Sequence, residues 1–206
     1  MVREKDRSVS INWQYWDAFR AGQPPSFRGY LLEPEMDILI KDRTSLEREI
    51  LFTTLWRTGG KISEVLALRA NDFRLLKGGE MVYFGGVRNG RGVEIVDKRY
   101  LRLVGRFIDR YDRKPSEPLL RISRQTATNW LSRRLIVLRE NDPHVLPDMR
   151  ISFDTFRHSF AFHALLHVVP LDTLQRWLGH NQAQMTRRYM QYLGFDYRQQ
   201  MQRMSH

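Results

Sequence analysis

A short apolar stripe with helical spacing lies in the first half of this 206-residue chain and ends just before a pair of glycines. Its members recur at the three- and four-residue spacing that places side chains on one face of an α-helix: Leu46, Ile50, Leu51 and Leu55. Thr58-Gly59-Gly60 follows at once, and glycine is common just past a helix end because it adopts the left-handed conformation easily. The pattern predicts a helix with one face in a core.

Similar patterns predict further helices and one hairpin. A helix should begin at Glu33-Pro34-Glu35, where the missing N–H of proline costs nothing, and Asn89-Gly90 is the strongest two-residue hairpin signal. The later predicted helices cover residues 61–68, 98–112, 123–140, 153–167, 171–178 and 181–192, and the predicted strands cover 80–87 and 92–96 with residues 88–91 as the tip. The expected fold class is mainly α with a small antiparallel β-hairpin or sheet (α+β).

Length and composition favour a single core of ordinary size. Of the 206 residues, 42% are hydrophobic, which supports one domain with a small appendage and not two full domains. Residues 1–28 form a polar lead with aromatic side chains, and Pro24-Pro25 near its end marks a linker or turn. The sequence therefore predicts an N-terminal lead or arm (1–28), a main domain (29–193) and a C-terminal tail (194–206).

Several functional classes are disfavoured by what the sequence lacks. It contains no cysteine, which excludes disulfides, thiolate zinc sites and a thiol nucleophile. No apolar run approaches the ~18 residues that span a bilayer, and the charged N-terminus is unlike a signal peptide, so we expect a cytoplasmic protein. His163 and His167 lie four residues apart, but no third ligand stands at a suitable spacing, and we expect no metal site.

A positive net charge favours a nucleic-acid partner. Lysine and arginine total 34 against 23 aspartates and glutamates, a net charge of +11, which is typical of proteins that bind DNA or RNA. Charge alone does not distinguish a DNA-binding protein from a protein that binds an anionic membrane surface. It also does not exclude a basic protein that is merely soluble. Four arginines lie in and around predicted helices and not in a basic tail, which favours a folded DNA-binding surface: Arg121, Arg124, Arg133 and Arg134.

Residues 156–189 carry the groups that phosphodiester chemistry requires. They contain an Arg157-His158 pair, a Leu-Gly-His turn that ends at His180, and Tyr189 nine positions later. Breaking DNA without losing the bond energy needs a nucleophile that stays attached to phosphorus, and cationic donors around the non-bridging oxygens. Tyr189 could attack while Arg157 and His180 hold the phosphate.

These residues resemble the signature of the tyrosine recombinase, or phage integrase, family: Arg-His in one helix, Leu-Gly-His further on, and tyrosine nine residues after that histidine. Residues 58–68 also look like the family's Thr-Gly-Leu-Arg-Ile-Ser-Glu-Leu box, and the match, over roughly residues 30–195, is closest to short single-domain members. The resemblance implies the family's catalytic-domain fold, double-stranded DNA as partner, no cofactor, and Tyr189 as a nucleophile that forms a 3′-phosphotyrosyl link. It also implies homo-oligomers on DNA that form through the C-terminal tail.

Three positions depart from the family pattern, so the resemblance is to a degenerate active site. Lys61 replaces the first arginine and presents an ammonium where a planar fork is usual. Asp154 stands where the family has a histidine or lysine donor. Arg88 and Arg91 occupy the hairpin that carries the family's general-acid lysine, and an arginine does not readily give up a proton. Arg57, four residues before Lys61, could swing in to supply the missing fork.

Structural alternatives stay open at the remaining positions. Arg157 could pair with Glu64 or Asp154, His158 could be structural, His180 could cap a helix end, and Tyr189 could be a packing residue.

Two functional hypotheses follow from this sequence. In the first, the protein is a site-specific recombinase whose catalytic residues are Tyr189, Arg157, His180 and Lys61. In that hypothesis DNA contacts come from Arg88, Arg91, Arg121, Arg124, Arg133, Arg134 and His158. In the second, the chain is a catalytically inactive DNA-binding regulator or accessory protein that keeps the recombinase fold.

Overall fold

The computed structural model describes residues 29–41, 45–74, 79–87, 90–95 and 97–192. In these ranges the elements are α1 (Glu33–Ile40), α2 (Leu46–Thr58), α3 (Ile62–Leu66), a 3₁₀ turn (Ala70–Asp72), β1 (Phe73–Arg74), β2 (Met81–Phe84), β3 (Arg91–Glu94), α4 (Lys98–Arg110), α5 (Arg124–Asn141), α6 (Phe153–Leu166), α7 (Leu171–Leu178) and α8 (Ala183–Tyr192). The predicted lead and tail and Arg88 lie outside the described residues. Within the described ranges, every helix is too short or too polar to cross a membrane.

α2 lies at the centre of the main core. Ser45 caps its start by accepting a hydrogen bond from the Arg48 amide, and Gly59 ends it at φ +60°, as the sequence predicts. Side chains on most sides of this helix are buried, which is typical of a helix surrounded by other elements. α1, α4 and α6 pack around it, and its buried residues are Ile50, Leu51, Phe52, Thr53, Thr54, Leu55, Trp56 and Thr58.

A three-stranded antiparallel sheet, in the order β1-β2-β3, packs beside α7. Val82 of β2 pairs with Val93 of β3, and both side chains are buried, so one face of the sheet joins the core. β1 is absent from the sequence prediction because a strand of two residues has no alternating pattern to detect.

The connection between β2 and β3 is longer than the sequence predicts. Pairing ends where Phe84 faces Arg91, so β2 ends three residues before the predicted Val87, and residues 88 and 89 of the predicted tip lie outside the described residues. Gly85 and Gly86 have φ of +88° and +86°, which lets the chain turn before it reaches the Asn-Gly pair. Arg91, predicted at the tip, is consequently the first residue of β3.

α6, α7 and α8 enclose a second cluster of buried side chains. The ring of Tyr30 stacks on Phe162 of α6 at 3.8 Å between centroids, and the Leu31 amide donates to Ser159 Oγ at 2.8 Å. These contacts hold the segment before α1 against α6. Tyr189 of α8 belongs to this cluster, together with Leu32, Ala161, Ala164, Leu165, Leu174 and Leu178.

The predicted fold class, mainly helical with a small antiparallel sheet, is confirmed, and the helix ends lie within two residues of those predicted. The largest shortening is in α3, where Lys61 is the N-cap and the chain leaves the helix at Ala67 to enter the 3₁₀ turn.

Candidate active site

Four residues of the motif come together between α6, α7 and α8. Arg157 and His158 are neighbours on α6, His180 follows the end of α7, and Tyr189 lies on α8. The rings of His180 and Tyr189 are nearly parallel, with 5° between their planes and 6.4 Å between their centroids. The spacing in sequence therefore corresponds to proximity in space.

Arg157 is the buried cation of this group. Only 6% of the residue is exposed, and its guanidinium donates to the Gly59 carbonyl at 2.7 Å and to the Leu178 carbonyl at 2.5 Å. Both acceptors lie at helix C-termini, where unpaired carbonyls and the helix dipole favour a positive charge. Burial, followed by the nearby charge of Arg91, lowers the pKa of Arg157. These bonds use two of the five N–H donors of the guanidinium, so it can also hold an anion.

The Tyr189 hydroxyl is hydrogen-bonded inside the site. It lies 2.9 Å from Nδ1 of His158, and only 8% of Tyr189 is exposed. A histidine nitrogen at this distance can accept the phenolic proton when the oxygen becomes a nucleophile. Sequence reasoning assigned His158 to DNA contact or to a structural role. The structure places its ring beside the hydroxyl of the predicted nucleophile.

His180 is held in one place by a buried neighbour. Its Nδ1 lies 2.8 Å from Oγ1 of Thr186, which is fully buried. Burial, followed by the positive charges of Arg157, Lys61 and Arg91, lowers the pKa of His180 to about 4. The imidazole is therefore neutral at pH 7, and it can donate one hydrogen bond and accept another without adding charge.

The Leu-Gly-His turn serves the helix end as well as the site. Gly179 ends α7 in the left-handed conformation at φ +65°. The His180 amide donates to the Gln175 carbonyl at 3.1 Å, and Nε2 of Gln175 donates to the His180 carbonyl at 3.1 Å. This closure follows the Schellman pattern of helix ends. The helix-cap alternative for His180 is thus compatible with the functional one, because the cap fixes where the imidazole lies.

Arg91 enters the site from β3. Its guanidinium lies 4.2 Å from the centroid of the Phe84 ring, donates to the Glu64 carboxylate at 2.6 Å, and donates to the Trp177 carbonyl. Its stem crosses Gly179, where an added Cβ would lie 2.6 Å from Cδ of Arg91. Burial alone would raise the pKa of Glu64, but the hydrogen bonds from Arg91 and from the Lys61 amide outweigh it and lower that pKa. Glu64 is therefore the partner of Arg91 and not of Arg157.

Lys61 and Asp154 lie at the edge of the site. Lys61 is exposed at the N-cap of α3, its amide donates to Glu64 at 2.7 Å, and its charge helps to lower the pKa of His180. Asp154 is exposed in the first turn of α6.

Arg57 does not supply the missing fork. Its Nε lies 2.9 Å from Oδ2 of Asp97, its Nη1 lies 4.0 Å from Oε1 of Glu33, and its guanidinium lies 5.9 Å from the centroid of the Trp56 ring. In this structure Arg57 therefore lies with these partners and not beside Arg157. The guanidinium beside Arg157 belongs to Arg91.

The predicted DNA-binding arginines have different surroundings. Arg124 and Arg133 are exposed on α5, and Arg121 precedes that helix in a surface ion pair with Glu117 at 2.9 Å. Arg134 instead turns toward the end of α1, where its guanidinium donates to the carbonyls of Ile38, Leu39 and Lys41. Arg134 therefore caps a helix C-terminus. Among the described members of this set, Arg121, Arg124 and Arg133 are the cations that face solvent.

His163 lies in the last turn of α6, and His167 is the C-cap of that helix. Their rings stack at 6.1 Å between centroids, and the ring of Trp56 meets His163 edge-on at 4.8 Å. Burial lowers the pKa of His163 to about 4. No three metal-ligating side chains come together in the ranges that the structure describes.

Sequence reasoning misses Glu64 and Thr186 as site residues. Glu64 has a detectable local signal, because an acidic residue three positions after an N-cap is typical of a capping box. Thr186 has none, since its contact with His180 depends on how α8 follows the Leu-Gly-His turn.

The chain belongs to the phage integrase family. The family model matches residues 32–193, which includes every described element from α1 to α8. The mainly helical fold with its three-stranded sheet is that of the tyrosine recombinase catalytic domain.

Individual proteins agree with this assignment. A resolvase from Escherichia coli is 26% identical over 196 residues, a match that covers 81% of this chain and 75% of the relative. Among solved structures, XerA recombinase has a TM-score of 0.60 at 22% identity, over 89% of this chain and 66% of that chain. The Tn1549 transposon integrase in complex with transposon right end DNA has a TM-score of 0.68 at 17% identity, over 86% of this chain and 66% of that one. The chain thus spans just under two thirds of both solved structures.

Proposed function

We propose that the protein is a tyrosine-type site-specific DNA recombinase with Tyr189 as its nucleophile. The observation that carries the proposal is the 2.9 Å contact between the Tyr189 hydroxyl and Nδ1 of His158. In the same group lie the buried guanidinium of Arg157 and the neutral imidazole of His180. A nucleophile, a proton acceptor and phosphate-binding groups are the parts that covalent phosphodiester cleavage needs.

The cleavage step balances in atoms and charge. The Tyr189 oxygen forms a bond to phosphorus while its proton passes to Nδ1 of His158. The bond from phosphorus to the 5′ oxygen breaks, and its electron pair stays with that oxygen, which takes up a proton and leaves as a hydroxyl. The products are a 3′-phosphotyrosyl link and a 5′ hydroxyl, so the energy of the phosphodiester bond is kept for rejoining.

Arg157 and His180 stabilise the negative charge that grows on the non-bridging oxygens, and Lys61 is the third catalytic cation of the site. Two carbonyls fix Arg157 before DNA arrives, and Thr186 fixes His180, so neither group reorganises during the reaction. Preorganised donors of this kind are each worth ~10²–10³ in rate. The exposed ammonium of Lys61 adds a third contact at the edge of the site.

Double-stranded DNA is the proposed partner. Exposed arginines at the start of α5 and along it, Arg121, Arg124 and Arg133, contact phosphates, as does Arg88 of the hairpin. We also propose that residues 1–28 act as an arm, residues 29–193 as the catalytic domain and residues 194–206 as a tail that docks on a neighbouring copy. Phosphate contacts release counterions, so duplex affinity should fall steeply as salt rises.

A second function is favoured by the burial of Arg157. A side chain that is 6% exposed and bonded to two helix ends also suits a structural tie. In this alternative the chain binds DNA as a regulator or accessory protein and does not cleave it. Lys61 and Asp154 then mark lost donors, and each such loss costs ~10²–10³ in rate.

Nicked suicide duplexes tiled across the DNA that flanks the gene separate the two functions. Cleavage next to a nick releases a short fragment and traps the protein on the duplex, and a denaturing gel detects the adduct. We expect an adduct with the wild-type chain and none with Tyr189→Phe, which keeps the ring and removes only the hydroxyl. Tyr111→Phe, a matched change at a residue that is 36% exposed, should leave the adduct unchanged.

Duplex binding by the same variants completes the test. Tyr189→Phe should bind as tightly as the wild-type chain, and the affinity of both should fall between low and moderate salt. An adduct that persists in Tyr189→Phe contradicts the nucleophile assignment. Tight, salt-sensitive binding with no adduct from any tiled duplex supports the inactive DNA-binding protein.

A further inference from the structure

We propose that Arg91 and Lys61 divide two tasks of the cleavage step: Arg91 holds the scissile phosphate, and Lys61 gives a proton to the leaving 5′ oxygen. The inference rests on the proposed recombinase function. The family resemblance implies an arginine before α3 and a lysine on the hairpin. In this chain the two residue types are exchanged, with Lys61 before α3 and Arg91 on the hairpin.

Two guanidinium groups are held by successive carbonyls at one helix end. Arg91 donates to the carbonyl of Trp177, and Arg157 donates to the carbonyl of Leu178 at 2.5 Å. The groups therefore lie side by side at the C-terminus of α7, where the helix dipole favours positive charge. Their proximity also shows in the pKa of Arg157, which the charge of Arg91 lowers after burial. We expect a phosphate bound at this helix end to contact both guanidinium groups.

The charges at this helix end do not balance. Among the described residues, the Glu64 carboxylate is the acidic group that bonds either guanidinium, at 2.6 Å from Arg91. One directly bonded carboxylate stands against two guanidinium groups, and Asp154 acts on Arg157 without bonding it. The site is mostly shielded because the Arg91 side chain is 14% exposed. Like charges in a shielded place repel unless an anion joins them. A phosphodiester brings the single negative charge that this cluster lacks.

Arg91 is fixed before any ligand binds. The Phe84 ring lies under its guanidinium, and that ring packs on Gly60, where an added Cβ would lie 2.8 Å from Phe84. The Arg91 stem crosses Gly179, and its Nε is buried with no hydrogen-bond partner among the described residues. An arginine held on a ring and a carboxylate presents its remaining N–H groups in a fixed geometry, as phosphate recognition requires.

Lys61 suits the proton-transfer task. Its backbone amide donates a hydrogen bond to the Glu64 carboxylate at 2.7 Å, while its side chain is exposed on a flexible stem. An ammonium can release a proton, whereas a guanidinium does not do so at neutral pH. As the bond from phosphorus to the 5′ oxygen breaks, its electron pair goes to that oxygen, which takes a proton from Nζ of Lys61. The neutral amine then regains a proton from water.

Two modified suicide duplexes assign the tasks separately. In the first, a methylphosphonate replaces the scissile phosphate, so the reacting group has no negative charge to hold. In the second, sulfur replaces the bridging 5′ oxygen, and a thiolate leaves without needing a proton. Both modified duplexes have the sequence of a duplex that the wild-type chain cleaves, and each differs from it in this one group. The rate of adduct formation on each is compared with the rate on the unmodified duplex.

We expect Arg91→Ala to slow the adduct on the unmodified duplex by about 100-fold or more. The defect should shrink at least tenfold on the methylphosphonate and persist on the sulfur duplex. Arg91→Lys should restore part of the rate, since it returns the charge without the fork. Lys61→Met should show the opposite pattern, with a slow reaction on the unmodified duplex and a rate close to wild type on the sulfur duplex.

A matched control comes from Arg57, which also pairs with a carboxylate and lies near an aromatic ring. Arg57→Ala should form the adduct at the wild-type rate on all three duplexes. The inference is overturned if Arg91→Ala cleaves normally, or if the sulfur duplex rescues Arg91→Ala and not Lys61→Met. If Arg91→Ala shows no thermal unfolding transition, that variant is not folded. The test then rests on Arg91→Lys and Lys61→Met. Absence of a Tyr189 adduct from the wild-type chain overturns the proposed function itself.

Discussion

Arg91 and Arg57 have similar local settings, but the charge around them differs. Arg57 has two carboxylates nearby, Asp97 at 2.9 Å and Glu33 at 4.0 Å, so its charge is fully compensated. Arg91 has the single carboxylate of Glu64, and a second guanidinium, that of Arg157, is held beside it by the next carbonyl of α7. A compensated arginine stabilises a fold, whereas an excess of positive charge prepares a place for an anion. The difference separates a structural ion pair from a candidate phosphate site.

The largest effect is expected from Arg157→Met. It removes a charge that bonds the ends of α2 and α7 and leaves two buried carbonyls without that donor. We expect the free energy of unfolding to fall by about 3 kcal/mol and cleavage to be lost. Urea denaturation measures the first effect. The surface change Arg121→Met should alter stability by less than about 0.5 kcal/mol, and equal losses in both variants would falsify the burial argument.

A pair of carboxylate-to-amide changes compares the two settings directly. Glu64→Gln keeps an acceptor for the Lys61 amide but weakens the hold on Arg91, so cleavage should slow by about 10- to 100-fold. Asp97→Asn weakens the hold on Arg57 and should leave the cleavage rate unchanged. Single-turnover rates on the same suicide duplex give both values. Similar slowing by the two variants contradicts the assignment of Arg91 to the site.

Gly179→Ala tests the turn that carries His180. The left-handed φ of +65° disfavours a side chain, and the new Cβ would lie 2.6 Å from Cδ of Arg91. We expect a loss of about 1–2 kcal/mol of stability together with slower cleavage. Gly105 of α4 offers the matched control, since an added Cβ there meets no atom within 4 Å. Gly105→Ala should raise stability by about 0.5–1 kcal/mol.

The smallest effect is a dependence of stability on pH. Burial lowers the pKa of both His180 and His163 from 6.5 to about 4. The unfolded chain therefore binds more protons than the folded chain between these values. The resulting stability is present above pH 6.5 and is lost as pH falls toward 4. His163→Leu should flatten the fall in melting temperature between pH 7 and pH 5, and an unchanged slope would show that His163 does not contribute.

Residues 153–190 show how much of the site the sequence can predict. Arg157, His158, His180 and Tyr189 lie on consecutive helices joined by short turns, so fixed spacings along the chain become fixed positions in space. The fold class follows for the same reason, because the apolar periodicity of α2 and its glycine stop are local signals.

Arg91 shows what the sequence cannot predict. Its partners Glu64 and Trp177 lie 27 and 86 positions away in the chain, so their meeting depends on how the sheet packs on α7. Arg134 is a second case, since it caps α1 from more than 90 positions away. In both cases sequence reasoning assigned a surface arginine to DNA, and long-range packing decided where the guanidinium lies.

The hairpin strand and the end of α7 are joined at two points. Arg91 donates to the Trp177 carbonyl, and Nε1 of the same tryptophan donates to Glu94 of β3. Two bonds between one residue and both ends of a four-residue strand prevent rotation as well as separation. β3 and the turn that carries His180 are therefore tied to each other through Trp177, so the strand helps to set where the imidazole lies beside Tyr189.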